Sequence, residues 1–173
     1  PQSFSAESYR QMSAQVYKGM QALGARSLLV ISAMPESGNT TTAVNLAMCE
    51  AAVGRRVLLV GGNMRRPGLA RIFGVPMGQA GLGEVLAGQD PASVVIEVAP
   101  NLSLMTSGAP SSRVFDRINT SRTDEVLAWA REHFDLIIVD SPPSVVAGEA
   151  LALANKVDAA MVVACAWKDQ RGL

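Results

Sequence analysis

Short runs of apolar residues recur along the chain, and segments with helical spacing separate them. The runs do not alternate with polar residues, which is typical of strands covered on both faces. The four runs are Leu28–Ile31, Val57–Val60, Leu136–Val139 and Met161–Ala164. Leu102–Met105 is expected to be a further strand. Strands that alternate with helices predict an α/β fold with a doubly wound, mostly parallel sheet flanked by helices.

The periodic segments predict where the helices lie. The spacing i, i+3, i+4, i+7 marks the apolar face of a helix over residues 43–52, which Gly54 ends. That face consists of Val44, Ala47, Met48 and Ala51. We expect further helices around residues 126–130 and over residues 149–154. Residues 64–121 are richer in Gly, Pro, Ser and Arg, which predicts loops and short helices there.

A leading helix is predicted over about residues 5–23. Its apolar stripe is Met12, Val16, Met20 and Leu23. Such a stripe more often packs against a core than against a partner protein. With a core over about residues 27–168, we expect one domain spanning residues 1–173.

Residues Ser32–Thr42 lie between a predicted strand and a predicted helix, which is the context of a phosphate-binding loop. Backbone N–H groups of this loop would converge on phosphate oxygens. The expected donors are Ser37, Gly38, Asn39, Thr40 and Thr41. The hydroxyl of Thr40 is placed to ligate Mg²⁺, but Asn39 stands where such loops carry lysine. The alternative is a tight turn capped by threonines.

Asp140 ends the apolar run over residues 136–139 and precedes Ser141-Pro142-Pro143. A carboxylate at the end of a buried strand is costly unless a partner compensates it. Beside a phosphate loop it would hold Mg²⁺ together with Thr40, which is the Walker B role. The alternative is an aspartate that opens a turn before the two prolines.

Composition excludes two classes of function. Fifteen basic and fifteen acidic residues give a net charge of zero, so the chain has no electrostatic basis for nucleic-acid binding. No apolar run approaches the roughly 18 residues that span a bilayer. We therefore expect any membrane link to come through a partner or through a segment outside these residues. Cys49 and Cys165 are expected to be reduced core thiols.

The segment Val57–Pro67 resembles the second Walker segment of bacterial tyrosine kinases, the P-loop autokinases of capsule and exopolysaccharide assembly. Further matches are Glu7–Arg10, Gly81–Gly88 and Asp140–Pro143, and the resemblance runs from about Phe4 to Lys168. It implies the P-loop NTPase fold, ATP or ADP with Mg²⁺, and a cytoplasmic location at the inner face of the membrane. It also implies a partner, the cytoplasmic tail of a membrane-embedded polysaccharide copolymerase.

The chain departs from this family pattern at charged positions. Asn39 replaces the lysine, and Gly61 and Asn63 replace two aspartates that serve the metal and the attacking tyrosine. The loss of one charged hydrogen bond costs roughly 1.5–3 kcal/mol, so nucleotide binding would be weak or absent. Phosphoryl transfer depends more heavily on such charges. The pattern therefore predicts a pseudokinase in exopolysaccharide export, in which Asp140 is vestigial.

Other readings of the same residues remain open. An active autokinase or ATPase would need a relocated cation, for which Arg65, Arg66 and Lys168 are candidates. A Min/Par-like positioning ATPase shares the fold. In the resembling family, charged residues of the leading helix join subunits into a ring; Glu7 and Arg10 match them, whereas Ser13 replaces a second arginine. We therefore expect a monomer or a weak homo-oligomer.

Overall fold

Six strands form one sheet in the computed structural model, which describes residues 4–76, 78–110, 114–144 and 148–166. They are β1 (Ser27–Ser32), β2 (Val57–Gly61), β3 (Ile96–Ala99), β4 (Leu102–Met105), β5 (Leu136–Asp140) and β6 (Ala159–Val163). Their order across the sheet is β3-β4-β2-β5-β1-β6. The β3–β4 pair is antiparallel and the other neighbouring pairs are parallel. The predicted mostly parallel α/β sheet is confirmed.

Helices cover both faces of this sheet. In the described ranges they are α1 (Phe4–Ala22), α2 (Asn39–Ala52), α3 (Leu69–Ile72), α4 (Leu82–Leu86), α5 (Val114–Ile118), α6 (Ser121–His133) and α7 (Gly148–Ala154), with a 3-10 turn at Pro91–Ser93. Side chains of α1, α2 and α3 pack on one face, and those of α4, α6 and α7 on the other. Within β1, Leu28 and Val30 join the first core while Leu29 joins the second. Both faces are buried, which explains the continuous apolar runs.

The edge strand β6 differs from the prediction. Val162 is 70% exposed, whereas Met161 and Val163 pack beside α2. The strand ends before Ala164, so the expectation of a fully buried strand over 161–164 was wrong, because none of the described helices covers the face on which Val162 lies. Cys49 and Cys165 are both only half-buried, which corrects the expectation of core thiols.

Two residues assigned to apolar helix faces lie in solvent. Leu23 is 74% exposed because α1 ends one residue earlier and the chain turns at Gly24, whose φ is +63°. Met48 is 51% exposed, while the charged Glu50 is 2% exposed and faces inward. The rest of the stripe on α1 does pack against the core. None of the described helices is long and apolar enough to cross a membrane.

Strand β3 was missed within the segment predicted as loops and short helices. It forms a hairpin with β4 through Pro100 and Asn101, and Asn101 adopts a left-handed φ of +61°. Asparagine tolerates this conformation, so the Pro-Asn pair was a usable turn signal.

Candidate functional site

The ends of three adjacent strands bring the predicted site residues together. β5 lies between β1 and β2, and Asp140 is in register with Val30 on one side and Gly61 on the other. The loop after β1 therefore reaches the carboxyl edge of the sheet beside Asp140. Ligands of open α/β sheets bind at this edge.

The loop after β1 has the backbone form of a phosphate cradle. Gly38 adopts φ +92° and immediately precedes α2, whose first residue is Asn39. The predicted donors Ser37–Thr41 thus occupy the loop end and the first turn of a 14-residue helix, where backbone N–H groups and the helix dipole favour an anion. Glu36 also has a positive φ, +61°, a conformation that glycine adopts more readily than other residues.

Asn39 is hydrogen-bonded within the protein. Its side chain is 7% exposed, and its amide donates to the carbonyl oxygen of Ser141. Ser141 is itself fixed to β1, since its N–H and its hydroxyl both donate to the carbonyl of Val30, at 3.2 and 3.0 Å. The side chain at the lysine position therefore ties the loop to the segment after β5. Sequence patterns could not predict this contact, because its acceptor is a backbone carbonyl, which every residue carries.

Asp140 is almost fully buried, with 2% of its surface exposed. Burial raises the pKa of Asp140 to about 7, against the lowering effect of a hydrogen bond from Thr40. The Thr40 hydroxyl lies 2.9 and 3.1 Å from the two carboxylate oxygens. Among the described residues, no cationic side chain forms a hydrogen bond or ion pair with this carboxylate.

The two positions of the missing aspartates differ in their surroundings. A Cβ placed on Gly61 would lie 2.7 Å from the backbone nitrogen of Ser107 and 3.2 Å from the carbonyl carbon of Thr106. Asn63 is half-buried, and its side-chain oxygen accepts from the N–H of Arg66 at 3.0 Å. The first position is thus crowded by backbone, and the second stabilises a turn.

The donor set around the loop fits a phosphate anion better than a metal ion. The loop backbone provides N–H donors for phosphate, whereas Mg²⁺ would find the Thr40 hydroxyl and one carboxylate, Asp140. Within the described ranges, no group of three or more His, Cys, Asp or Glu side chains could hold a metal.

The candidate substitute cations are not equivalent. Arg65 donates through Nε and Nη2 to Oε1 of Glu149, at 3.0 and 2.8 Å, although 61% of the Arg65 side chain is exposed. Glu149 is 3% exposed, and sequence reasoning missed it although an acidic residue in an alanine-rich helix was a signal. Arg66 is exposed. The chain passes close to the phosphate loop two residues later, since a Cβ added to Gly68 would lie 3.9 Å from the Thr40 methyl. Lys168 lies outside the described residues.

The oligomer-contact residues of α1 are paired within their own helix. Arg10 Nη1 lies 2.8 Å from Glu7 Oε2, and both side chains are about half exposed. Ser13 is 3% exposed, and its hydroxyl donates to Glu50 of α2. Arg55 pairs with the other oxygen of Glu50 at 2.8 Å. The helix thus has a polar attachment to its own domain at the position of the missing arginine.

Comparisons with known proteins point to the same family. No family model matches the chain. It is 28% identical over 166 residues to the tyrosine-protein kinase Etk of Escherichia coli K12, covering 95% of this chain and 23% of Etk. It is 26% identical over 173 residues to the tyrosine-protein kinase YwqD of Bacillus subtilis, covering 99% of this chain and 73% of YwqD. The chain therefore spans under a quarter of Etk and most of YwqD.

Solved structures extend this likeness to the fold. The kinase domain of Escherichia coli Etk superposes with a TM-score of 0.87 at 27% identity, over 92% of this chain and 63% of that domain. The septum site-determining protein MinD of Pyrococcus horikoshii, solved with Mg-ADP, superposes with a TM-score of 0.68 at 24% identity, over 80% of this chain and 57% of MinD. The MinD likeness shows a shared fold only. Together with the motifs and the sheet topology, the kinase matches support a member of the bacterial tyrosine kinase family, with the fold of P-loop NTPases.

Proposed function

We propose that this domain is a pseudokinase, which acts in exopolysaccharide biosynthesis or export without transferring phosphate. The observation that carries the proposal is the hydrogen bond from the Asn39 amide to the Ser141 carbonyl. It occupies the side chain at the lysine position and supplies no positive charge. Positioned cations provide much of the stabilisation of a phosphoryl-transfer transition state, on the order of 10³–10⁵ in rate for a single arginine.

Two further features support the loss of catalysis. Gly61 lacks a carboxylate, and the backbone of Ser107 leaves no space for a Cβ there. Asp140 is buried with no cationic partner among the residues that the structure describes, and its pKa is raised to about 7. A fraction of these carboxyl groups is therefore protonated at neutral pH. A protonated carboxyl group is a poor metal ligand, because Mg²⁺ prefers anionic oxygen. In this proposal, ATP or ADP with Mg²⁺ binds weakly or not at all.

The direct test is autophosphorylation of the full-length protein with Mg-ATP, measured by phosphotyrosine-specific mass spectrometry, with the Etk kinase domain as a positive control. We expect no phosphotyrosine. Robust phosphotyrosine that disappears in Asp140→Asn would refute the pseudokinase and favour an active enzyme with a relocated cation. Arg66 is the better candidate for that cation, since Arg65 is paired with Glu149.

Nucleotide binding is tested separately, by calorimetric titration with ADP in the presence and absence of Mg²⁺. Asn39→Lys restores the missing cation, so we expect it to raise ADP affinity by about 10-fold or more. It should not restore kinase activity, because Gly61 and Asn63 still lack carboxylates. If ADP binding stays undetectable in Asn39→Lys, the claim that the loop still has a phosphate-binding shape is wrong.

The proposed partner is the cytoplasmic tail of a membrane-embedded polysaccharide copolymerase, which would hold the domain at the inner face of the membrane. The family resemblance supports this partner. The test is fractionation of cells with and without the copolymerase. We expect the domain to shift from the membrane to the soluble fraction when the copolymerase is deleted, and an unchanged distribution would contradict it.

A further inference from the structure

The loop after β2, residues 62–68, touches the candidate site at both of its ends. It begins at Gly62, whose N–H donates to the carbonyl oxygen of Asp140 at 2.7 Å. It ends at Gly68, where an added Cβ would lie 3.9 Å from the Thr40 methyl. Arg65 lies in the middle of this loop, so its long side chain is carried by a segment that adjoins the place where a phosphate would bind.

Arg65 brings a positive charge to this edge of the sheet, but the charge is directed at Glu149. Its Nε and Nη2 donate to Oε1 of Glu149 at 3.0 and 2.8 Å. The Arg65 side chain is 61% exposed, so packing does not confine it, and an arginine fork pairs as well with phosphate as with carboxylate. The contact with Glu149 is therefore what sets the direction of this side chain.

Glu149 depends on Arg65 more than Arg65 depends on Glu149. Glu149 is 3% exposed, and its Oε1 accepts both bonds from the guanidinium. Its other oxygen, Oε2, is buried and has no hydrogen-bond partner among the residues that the structure describes. If the guanidinium left, a buried carboxylate would remain with no compensating charge, which is strongly unfavourable. The carboxylate therefore keeps hold of Arg65 against a competing anion.

The phosphate loop and Glu149 lie on opposite sides of the sheet. Ala150 and Leu153 of α7, the helix that carries Glu149, pack in the core on one face. Ala43 of α2, the helix whose first turn would bind a phosphate, packs in the core on the other face. The contact with Glu149 therefore draws the Arg65 guanidinium toward the α7 layer and away from the first turn of α2.

We propose that the Arg65–Glu149 pair is an autoinhibitory contact, which keeps Arg65 away from a phosphate group bound at the loop after β1. Glu149 and the phosphates of a nucleotide compete for the same guanidinium, so a nucleotide gains this contact when the pair opens. The weak binding expected of the domain then has a second cause besides Asn39. The inference rests on the proposed phosphate-binding shape of the loop, and it holds whether or not the domain transfers phosphate.

The test opens the pair in the Asn39→Lys background, in which ADP affinity is expected to be measurable, and uses calorimetric titration without Mg²⁺. Glu149→Gln, and Glu149→Leu as a second variant, should each raise the affinity for ADP by about 3–10-fold, because the released guanidinium can bond to phosphate. Inorganic pyrophosphate should show the same gain, since Arg65 would contact phosphate and not the base. Adding Arg65→Ala should cancel the gain. Glu132→Gln, at an exposed position of α6, is the matched control and should leave affinity within about twofold.

Unchanged affinity in the Glu149 variants, or a gain that persists after Arg65→Ala, would overturn the proposal. A lower affinity would do so too, because Glu149 would then position Arg65 for the ligand instead of withholding it. A gain for ADP without one for pyrophosphate would show that Arg65 contacts another part of the nucleotide. If Asn39→Lys alone binds no ADP, the phosphate-binding shape of the loop is in error. Binding that then appears with Glu149→Gln would still support the autoinhibitory contact, and its continued absence would overturn it.

Discussion

The carboxyl edge of the sheet and the α1–α2 face both depart from the family pattern. The edge has lost most of its charged side chains, whereas the α1–α2 face has kept most of them. At the edge, Asn39, Gly61 and Asn63 replace charged residues, and Asp140 remains buried beside Thr40. At the α1–α2 face, a single arginine is replaced by Ser13, and charged residues remain in a buried contact.

This difference shows which charges the fold itself requires. Catalytic charges act on a ligand, so their loss leaves the folded protein intact, and the Asn39 amide simply bonds to a nearby carbonyl. Glu50 instead links α1 to α2 through Ser13 and Arg55. Its removal would leave a buried hydroxyl and a guanidinium without their partner. Removal of the remaining charge at the edge, Asp140, should therefore be tolerated or even stabilising, whereas removal of Glu50 from the α1–α2 face should not be.

The largest expected effect is at Glu50. Glu50→Ala should lower the free energy of unfolding by roughly 2–4 kcal/mol, because a buried polar network loses its central acceptor. Urea denaturation at neutral pH measures it. Glu132→Ala is the control, since Glu132 is exposed on α6, and it should change stability by less than about 0.5 kcal/mol. Equal effects of the two substitutions would remove the contrast between the regions.

The second prediction concerns the attempt to restore a carboxylate at Gly61. Gly61→Asp, and even Gly61→Ala, should destabilise the fold by about 1–3 kcal/mol, since the new Cβ meets the backbone near Ser107 and overpacking costs energy of this order. Asn63→Asp is the matched repair at a half-exposed turn and should be nearly neutral. If Gly61→Ala is as stable as the parent in thermal unfolding, the conclusion that backbone atoms leave no room for a Cβ on Gly61 is wrong.

Glu50 and Gly61 also show how much of the structure could be predicted from the sequence. Strand positions followed from the apolar runs, and the phosphate loop and Asp140 followed from spacing. Glu50 lay on the apolar face of a predicted helix, yet the spacing rule chose Met48 in its place, because it weighs hydrophobicity and not the partners a charge finds on another helix. The close approach at Gly61 depends on the segment just after β4, which is distant in sequence, so no local pattern encodes it.

The third prediction tests the cost of keeping Asp140 without a cation. Its pKa is about 7 in the folded protein and about 4 in an unfolded chain. Below pH 4 the carboxyl group is protonated in both states. Between pH 4 and 7 the unfolded chain releases its proton first, so stability falls as pH rises, and above pH 7 the full cost is present.

Asp140→Asn removes this charge, and it should stabilise the domain by on the order of 2 kcal/mol at pH 8. The difference from the parent should shrink towards zero near pH 4. Urea denaturation of both proteins at pH 4, 6 and 8 measures it, with Glu125→Gln, at an exposed position of α6, as a control that should change stability by less than about 0.5 kcal/mol. A destabilising Asp140→Asn at pH 8 would mean that the edge retains a compensating charge, and the contrast between the regions would fail.

The smallest expected effect is at the exposed pair of α1. Glu7 and Arg10 pair within the helix with about half of each side chain exposed, and such pairs contribute only about 0–1 kcal/mol. We expect the chain to sediment mainly as a monomer of 18.2 kDa at tens of micromolar, and Arg10→Ala to leave that distribution unchanged. Tyr17→Ala is a control at a half-buried position of the same helix, and it should also leave sedimentation unchanged. A stable ring that Arg10→Ala dissolves would show that this outer face of α1 still joins subunits despite Ser13, and that the α1–α2 face serves assembly as well as the fold.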